Sequence, residues 1–273
     1  MKRSNRLVAL TNFFLENPRT HTQFPYFVSQ LDTTKASVSE DMDIIDAVFR
    51  SEGIGYLQRT TGAGGGVKYI PARVHEKNKL FVEELRRKLE DPARILPGGY
   101  LYMSDLLGDP KTVREIGRVF ASAFSEMDID VVVTVATKGI PLAYAVASFL
   151  NVPVVIVRRD PKVTEGSSVS INYVSGSSRK IQTMVLPKRS LSEGAKVCII
   201  DDFMKAGGTI TGMINLLEEF HATVQAIGVL AEADDEEEER VIDDYTSLIK
   251  ISNVDMKKKY IDVHVGNLMQ QHM

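Results

Sequence analysis

Short apolar segments of strand length alternate with helical segments through the C-terminal two thirds of the sequence. The apolar segments are VVVTVA (131–136), VPVVIV (152–157), VCII (197–200) and TVQAIGVLAEA (223–233). Helical patterns lie between them, as in PLAYAVASFLN (141–151) and TITGMINLLEEF (209–220). Strands that are apolar along their whole length are typical of a parallel sheet buried on both faces. The alternation therefore predicts an α/β domain in which helices cover both faces of a mostly parallel sheet.

A stretch rich in serine and glycine interrupts this alternation between residues 159 and 190. It contains two strand-like segments, SSVSINYV (167–174) and KIQTMVLP (180–187). The stretch is too long for a simple connection in a compact domain. We therefore expect a hairpin or lid over the edge of the sheet where ligands bind.

The first 74 residues predict a different, mainly helical unit. A first helix ends at Asn17-Pro18, and a second helical segment covers residues 24–31. A third helix follows the capping candidates Thr33 and Thr34 and ends at Gly53, a residue type common at helix C-termini. Its apolar residues recur at helical spacing and form one face. These residues are Val38, Met42, Ile45 and Phe49.

Two short strands follow the third helix and complete the N-terminal unit. They are GYLQRTT (55–61) and VKYIP (67–71), and the glycine-rich turn GAGGG separates them. Three helices followed by a glycine-tipped hairpin predict a winged helix-turn-helix that binds DNA. A small helical subdomain with an additional hairpin is the alternative.

Small and cationic side chains at the start of the third helix support the DNA-binding interpretation, because such groups approach phosphates and base edges closely. Residues 53–75 add three cations and no acid. Asp41 and Asp43 on the third helix argue against DNA binding unless both point away from the DNA. The predicted DNA-binding residues are Arg3, Thr34, Lys35, Ser37, Ser39, Arg59 and Lys68.

Net charge and cysteine content exclude several classes of protein. The net charge of −3 argues against a protein that binds nucleic acid over its whole surface. Residues 1–74 carry nine Lys and Arg against seven Asp and Glu, a balance of +2, which leaves −5 for the remainder. The single cysteine, Cys198, lies in an apolar strand, so we expect no disulfides, no zinc site and a cytoplasmic location. No apolar run approaches the roughly 20 residues that cross a membrane, so we expect no membrane partner.

A charged amphipathic helix, predicted over residues 76–90, connects the two parts of the chain. We interpret it as the joint between a DNA-binding domain, residues 1–74, and a ligand-binding domain, residues 75–273. The same helix is a candidate dimer surface, and a solvated linker helix is the alternative.

The segment VCIIDDFMKAGGT (197–209) carries the clearest chemical signal. Ligands of open parallel sheets bind at the carboxyl ends of the strands, where Asp201 and Asp202 lie. The loop KAGGT and the following helix N-terminus present backbone N–H groups that bind a phosphate. Two adjacent carboxylates accept hydrogen bonds from vicinal hydroxyls. A phosphate and a cis-diol together describe a ribose 5-phosphate.

A second loop, ATKGI (136–140), also follows an apolar strand and precedes a helix. Lys138 is a cation, and its neighbouring amides suit a second anionic group, such as a pyrophosphate on the ribose C1. An ordinary strand-to-helix turn is the alternative for this loop.

Residues 197–209 resemble the phosphoribosyl pyrophosphate (PRPP) signature of type I phosphoribosyltransferases. The resemblance implies that Asp201 and Asp202 hold the ribose hydroxyls. It also implies that a Mg²⁺ ion bridges ribose and pyrophosphate oxygens, and we predict no metal-ligating residues. It also implies that ATKGI is the pyrophosphate loop and that residues 158–190 form a flexible hood. The residues implied to hold the 5-phosphate are Ala206, Gly207, Gly208 and Thr209.

Two positions depart from the pattern of the transferases. Phe203 and Lys205 stand where those enzymes usually carry a smaller apolar residue and a small or hydroxyl residue. Lys205 adds a cation that strengthens anion binding without assisting bond cleavage. Tyr100 is a candidate to stack on a ligand, with a packing role as the alternative. The predicted ligand-binding residues are Tyr100, Ala136, Thr137, Lys138, Gly139, Arg158, Asp201, Asp202, Phe203, Lys205, Ala206, Gly207, Gly208 and Thr209.

Over nearly its whole length the chain resembles the purine operon repressors of Gram-positive bacteria, through KASVSEDMDII, the GAGGG turn and VATKGIPLAYA. The resemblance implies a homodimeric regulator that binds double-stranded DNA at purine operon promoters and is not an enzyme. It also implies that PRPP weakens DNA binding. An active purine phosphoribosyltransferase with a regulatory N-terminal domain is the alternative. A guanosine polyphosphate, which carries the same ribose and pyrophosphate groups, is a hypothetical competitor of PRPP.

Overall fold

The computed structural model describes residues 1–62, 64–97, 100–160, 166–174, 181–233 and 240–269. We refer to residues 1–74 as the N-terminal unit and to the rest as the sheet unit. The boundary at residue 74 stays a prediction. None of the helices in the described ranges has the length and apolar character needed to span a membrane.

The N-terminal unit contains the three helices and the hairpin that its sequence predicts. The elements are α1 (Arg3–Glu16), β1 (Thr22–Gln23), α2 (Phe24–Leu31), α3 (Lys35–Ser51), β2 (Tyr56–Thr60) and β3 (Gly66–Ile70). The two-residue strand β1 pairs with β3, so the hairpin becomes a three-stranded antiparallel sheet that the sequence pattern did not predict. Ala63, in the glycine-rich turn, lies outside the described residues.

One apolar cluster holds the N-terminal unit together. Phe14 of α1, Phe27 of α2 and Met42 of α3 are buried in it beside Val67 of β3. At the start of α3, the hydroxyl of Thr34 accepts a hydrogen bond from the backbone N–H of Ser37 at 3.2 Å, as expected of a helix N-cap.

The sheet unit begins with α4 (His75–Leu89), which packs on the sheet. Val82 and Leu89 are fully buried in the same apolar cluster as the sheet residues. The helix is therefore part of the sheet unit's core, and the interpretation as a solvated linker is wrong. The elements that follow are α5 (Ser104–Gly108), α6 (Pro110–Ala123), β4 (Val131–Val135), α7 (Ile140–Leu150), β5 (Val154–Val157), β6 (Ser168–Val174), β7 (Ile181–Pro187), β8 (Lys196–Met204), α8 (Gly208–Glu218), β9 (Thr223–Ala233), β10 (Thr246–Asp255) and β11 (Tyr260–Val265).

Six strands form the main sheet in the order β11-β10-β9-β8-β4-β5. All neighbours are parallel except β10 and β11, which form an antiparallel edge. The predicted mostly parallel α/β sheet is thus confirmed. The sequence analysis missed β10 and β11, because charged and polar residues interrupt their apolar pattern.

Both faces of the sheet are covered, and each strand supplies both cores in alternation. Val132 of β4 and Ile200 of β8 belong to the cluster that includes α4, α6 and α7. Val133 and Ile199 belong to a second cluster that includes α8. Helices α7 and α8 therefore lie on opposite faces of the sheet.

The predicted hairpin between residues 159 and 190 is present as β6 and β7, but it packs against α8. A Cβ atom added to Gly212 of α8 would lie 2.8 Å from Cγ of Tyr173, so the ring of Tyr173 rests on that glycine. Among its described residues, 168–174 and 181–187, none lines the cleft described below. The interpretation as a lid over the ligand-binding edge is therefore not supported by these residues.

The N-terminal unit contacts the sheet unit along α6 and at the end of α7. Arg73 forms an ion pair with Glu115 of α6 at 2.5 Å, and its backbone N–H donates to the hydroxyl of Ser122 at 2.9 Å. The side-chain amide of Asn151, after α7, donates to the hydroxyl of Thr20 at 2.9 Å. These contacts tie the N-terminal unit to one face of the sheet unit.

We expect the buried ion pairs of Asp41 to determine the stability of the N-terminal unit. Asp41 of α3 is fully buried and accepts from Arg6 at 2.7 Å and from Arg3 at 3.1 Å, both in α1. Asp41→Asn should lower the opening free energy of this unit by about 3 kcal/mol, because removal of one partner leaves a buried cation without its counter-charge. Hydrogen exchange resolved on α1 and α3 measures this energy.

Glu40→Gln is the matched control for Asp41→Asn. Glu40 is exposed and lies 3.8 Å from Arg3, so its replacement should change the opening free energy by less than about 0.5 kcal/mol. Equal effects of the two variants would contradict the assignment of this role to Asp41.

Candidate functional site

A cleft of about 1310 Å³ lies at the carboxyl-terminal edge of the sheet. Residues at the ends of β4, β5, β8, β9 and β10 line it, together with the first turn of α8 and residues of the segment 96–103. This is the edge at which open parallel sheets bind ligands. The fold therefore brings both predicted loops to one cavity.

Two adjacent carboxylates lie at the end of β8 on the floor of the cleft. Asp201 is only 4% exposed, and Asp202 is half-buried. The backbone N–H of Asp202 donates to Oδ1 of Asp201 at 2.9 Å. Burial raises the pKa of Asp201 well above its usual value, and the charge of Asp202 raises it further. Both carboxylates are therefore costly to ionise together unless a ligand supplies hydroxyl donors or a cation.

Nearby cations partly offset this cost. Burial also raises the pKa of Asp202, and the positive charge of Lys138 opposes that rise. The positive charge of Arg159 likewise opposes the rise in the pKa of Asp201. The cleft thus combines two carboxylates with cations on the neighbouring loops, an arrangement that suits a ligand with both hydroxyl and anionic groups.

The loop after β8 turns into α8 through a glycine in the left-handed region. Gly207 has φ of +93° and precedes the first residue of α8, a conformation that glycine adopts without steric cost. Its carbonyl oxygen accepts from the N–H of Thr211 at 2.9 Å. The N-terminal turn of α8 opens into the cleft, where its N–H groups and the helix dipole favour an anion.

The loop after β4 approaches the carboxylates closely. The Ala136–Thr137 peptide is cis, and the side chains of Thr137 and Lys138 are exposed. A Cβ atom on Gly139 would lie 2.3 Å from Oγ1 of Thr134 and 3.2 Å from Oδ1 of Asp201. Only glycine therefore allows the two loops to pack this closely.

Thirteen of the fourteen residues predicted to bind a ligand line the cleft, and the other, Gly139, lies beneath its wall. Tyr100 is 62% exposed at the rim. Arg158 forms a backbone bridge with Val185 of β7. Lining a cleft does not test ligand binding, so these assignments stay predictions.

The sequence analysis missed other lining residues, including Arg159, Asp160 and the wall 251–254. The wall belongs to β10, which runs parallel to β9 and so ends at the same edge. If residues 246–251 had been recognised as a parallel strand, the sequence analysis would have placed this wall at the same edge of the sheet. For Arg159 the signal was its position two residues after the end of β5.

The carboxylate pair fits a Mg²⁺ ion that is held mainly by ligand oxygens. Within the described residues, no group of three or more His, Cys, Asp and Glu is placed to hold a metal ion. Proteins usually bind Mg²⁺ through one or two carboxylates, with waters and substrate phosphates as the remaining ligands. Asp201 and Asp202 are the residues that would take that role.

In the N-terminal unit, four predicted DNA-binding residues lie at the N-terminal end of α3. They are Thr34, Lys35, Ser37 and Ser39. Lys35 lies over the ring of Phe24 at 5.5 Å. Arg59 of β2 joins this surface, because its guanidinium donates to the backbone carbonyl of Ser39 at 3.2 Å.

Lys68 and Arg3 lie apart from that surface. Lys68 pairs with Gln58 across the hairpin, whereas Arg59 pairs with Val67, so Lys68 and Arg59 are on opposite faces. Arg3 is bound to Asp41 and Glu40. The predicted DNA-binding residues thus do not form one continuous patch.

Both acids that argued against DNA binding have partners. Asp41 points into the protein, as described above, and presents no charge to the surface. Asp43 forms an ion pair with Arg59 at 2.7 Å. The remaining conflict is between Asp43 and an incoming phosphate, since each is a partner for the same guanidinium.

Comparisons with known proteins match two different family models to two separate parts of the chain. Residues 2–71 match the family model described as bacterial purine repressor, N-terminal, and residues 103–266 match the phosphoribosyl transferase domain. The purine biosynthesis transcriptional repressor PurR of Bacillus subtilis is 56% identical over 98% of this chain and 94% of the relative. The purine biosynthesis transcriptional activator PurR of Lactococcus lactis subsp. lactis is 44% identical over 98% of each chain.

Solved structures show the fold of the sheet unit. An adenine phosphoribosyltransferase from Thermoanaerobacter pseudethanolicus superposes with a TM-score of 0.53 at 24% identity, covering 62% of this chain and 99% of that chain. The sheet unit therefore has the fold of a phosphoribosyltransferase.

If Asp43 competes with phosphate for Arg59, its removal should strengthen DNA binding. Asp43→Asn should lower the dissociation constant for duplex DNA and steepen its log–log salt dependence by about one unit for one additional phosphate contact. Arg59→Gln should have the opposite effect on both. Fluorescence anisotropy with a labelled duplex at several salt concentrations measures them.

Asp32→Asn is the control for the change of net charge, because Asp32 is exposed in the same unit and its αL backbone conformation tolerates asparagine. An unchanged salt slope in both Asp43→Asn and Arg59→Gln would show that Arg59 does not contact a phosphate.

Proposed function

The chain belongs to the family of bacterial purine repressors, and from this premise we propose that it represses purine biosynthesis genes and senses PRPP in the sheet-edge cleft. PRPP binding weakens its hold on DNA. The relative named a repressor is more similar to this chain than the relative named an activator, which supports repression. The observation that carries the ligand assignment is the Asp201–Asp202 pair, with Asp201 buried, beside residues 206–209, which have only small side chains.

The chemistry of the cleft supports a ribose 5-phosphate with a further anion. Vicinal hydroxyls donate to Asp201 and Asp202, which lowers the cost of their negative charges. The N–H groups of residues 206–209 hold the 5-phosphate at the N-terminus of α8. Lys138 and the loop 136–139 hold the pyrophosphate. Asp201 and Asp202 would hold a Mg²⁺ ion, which would supply positive charge to offset the charges of the carboxylates and of the ligand's phosphates.

The absence of catalysis is part of this proposal. Phe203 is 37% exposed in the cleft, and Lys205 lies in the loop beside it. Both differ from the smaller residues usual in the transferases. The alternative, an active purine phosphoribosyltransferase, is favoured by the match of residues 103–266 to the transferase domain. Pyrophosphate release measured with each purine base decides between them, and turnover with any base would contradict the proposal.

A guanosine polyphosphate is a second candidate ligand of the same cleft. It carries a ribose and a pyrophosphate, so we propose that it competes with PRPP. A titration of the PRPP-bound protein with a guanosine polyphosphate tests this, and a failure to displace PRPP would end the hypothesis.

We propose that the N-terminal unit acts as a winged helix within a homodimer. Dimeric DNA-binding proteins depend on the separation of their two half-site readers. A small movement of the N-terminal unit relative to the sheet unit therefore changes affinity for DNA. The contacts of Arg73 with Glu115 and of Thr20 with Asn151 are the points where such a movement is transmitted.

Binding of DNA and its release by PRPP test the proposal directly. We expect the unmodified protein to bind a purine-gene promoter fragment, with a dissociation constant that rises on addition of PRPP and Mg²⁺. Asp201→Asn combined with Asp202→Asn should leave DNA binding intact and abolish the response, because the amides do not supply two negative acceptors for the ribose hydroxyls. Fluorescence anisotropy with and without PRPP measures both effects.

Glu218→Gln with Glu219→Gln is the matched control, since these adjacent exposed carboxylates lie at the far end of α8. This variant should respond to PRPP normally. A full response in the Asp201/Asp202 variant would show that the ligand site is elsewhere. Binding of unmodified protein to DNA without any response to PRPP would leave a DNA-binding protein with a different ligand.

Loss of the contact between Arg73 and Glu115 should reduce the effect of PRPP on DNA binding more than it changes the affinity for PRPP alone or for DNA alone. Glu115→Gln leaves the cleft untouched, so PRPP affinity measured by calorimetry should stay the same. The coupling free energy between PRPP and DNA should fall by about 0.5–2 kcal/mol. Glu83→Gln on α4, which removes an acid from a more exposed pair with Arg86, is the control. Equal coupling in both variants would exclude the Arg73 contact as the route.

A further inference from the structure

We call residues 205–209, which follow β8 and contain the proposed 5-phosphate site, the phosphate loop. A buried polar network lies behind this loop, outside the residues considered so far. Glu232, near the end of β9, is only 3% exposed. Its carboxylate accepts from Tyr245 at 2.5 Å, from Ser247 at 2.6 Å and from Arg240 at 2.5 Å. Every one of these partners follows β9 in the chain. A carboxylate that is buried with three donors is costly to disturb.

The network holds both ends of the segment 240–245 at the same carboxylate, that of Glu232. Arg240 and Tyr245 stand at the two ends of the segment 240–245, and both bind the carboxylate of Glu232. Arg240 also donates to the carbonyl oxygen of Ala233 at 2.9 Å and bonds the hydroxyl of Tyr245. Both ends of the segment are therefore held against the end of β9.

The middle of the same segment contacts the phosphate loop. The backbone N–H of Val241 donates to the carbonyl oxygen of Ala206 at 3.1 Å. A Cβ atom on Gly207 would lie 3.4 Å from side-chain atoms of both Val241 and Ile242, so these residues pack directly against that glycine. Ile242 is buried in the cluster that contains α8.

From these contacts we infer that Glu232 and Arg240 are positioning residues for the phosphate loop. They hold the segment 240–245, which in turn holds Ala206 and Gly207 in the conformation that presents N–H groups to the cleft. The inference rests on the proposed function for the identity of the ligand. It adds that affinity for the 5-phosphate end depends on side chains that do not touch the ligand.

A purely structural role would affect every ligand of the cleft, whereas a positioning role affects one end of it. The segment 240–245 contacts the loop after β8 through Val241 and Ile242. Among the described residues, the hydrogen bonds of Glu232 and Arg240 stay within residues 232–247 and do not reach the loop 136–139. We therefore expect its disruption to weaken ligands that carry a 5-phosphate and to spare inorganic pyrophosphate.

The test compares three ligands by calorimetry in the presence of Mg²⁺: PRPP, ribose 5-phosphate and inorganic pyrophosphate. The main variant is Glu232→Gln with Arg240→Met, which removes both charges together and leaves no buried ion unpaired. We expect its affinity for PRPP and for ribose 5-phosphate to fall about tenfold, or about 1.4 kcal/mol. Its affinity for pyrophosphate should stay within about twofold.

Two further variants keep the test decisive. Tyr245→Phe removes one hydroxyl donor and should show the same selectivity with a smaller loss, even if the double variant fails to fold. Asp128→Asn with Lys196→Met removes an exposed ion pair at the opposite edge of the sheet and should bind all three ligands normally.

Each outcome decides a separate question. Equal losses for all three ligands, or no loss for any of them, in the folded variants would overturn the positioning role. If the unmodified protein binds none of the three ligands, the proposed function fails, and the inference, which rests on it, is overturned with it. A selective loss with intact pyrophosphate binding supports the inference.

Discussion

The two adjacent carboxylates at the buried end of β8 impose the main constraint on this molecule. Ionised groups are costly to bury unless opposite charges or donors accompany them. Here the neighbouring loops bring Lys138 and Arg159 close enough to oppose the rise in pKa. Much of the cost nevertheless remains, since the pKa values of both aspartates stay raised. A ligand that brings hydroxyl donors and a cation removes that cost, and this is the physical basis of the proposal that the cleft binds a sugar phosphate rather than an apolar molecule.

The same constraint determines how the loops after β4 and β8 are arranged. Gly139 lies so close to Thr134 and Asp201 that no side chain fits there. Gly207 takes a left-handed conformation and leads directly into α8. One glycine brings the two loops together, and the other turns backbone N–H groups toward the cleft. The contacts of Val241 and Ile242 with Gly207 extend this arrangement to the far side of the loop.

The sequence predicted the fold and the cleft where local pattern and chemistry agree. Continuous apolar strands such as 131–135 and 197–200 are short-range signals, and Asp201-Asp202 stands directly after one of them. The strands β10 and β11 escaped prediction because Lys250 and Asn253 interrupt the apolar pattern of β10, and Asp262 and His264 interrupt that of β11. The Glu232 network was equally hidden, since the partners of Glu232 follow it by 8 to 15 residues and form no recognisable sequence motif. The sequence also did not show that Asp41 of α3 is buried. Its burial depends on ion pairs with two arginines of α1, which no pattern within α3 indicates.

On the proposed placement, the two ends of the ligand bind loops that lead into helices on opposite faces of the sheet unit, and this difference affects regulation. The loop 136–139 leads into α7, which ends at Asn151, and Asn151 contacts Thr20 of the N-terminal unit. Helix α6 packs on the same face and carries Glu115 and Ser122, the partners of Arg73. The phosphate loop leads into α8 on the other face, which is covered by β6 and β7. On the proposed placement, the 5-phosphate therefore supplies affinity, whereas the pyrophosphate acts on the helices that touch the DNA-binding unit. This division explains why a regulator that responds to PRPP gains from a site that reads both ends of the ligand, because a monophosphate alone does not engage the loop that leads to α7.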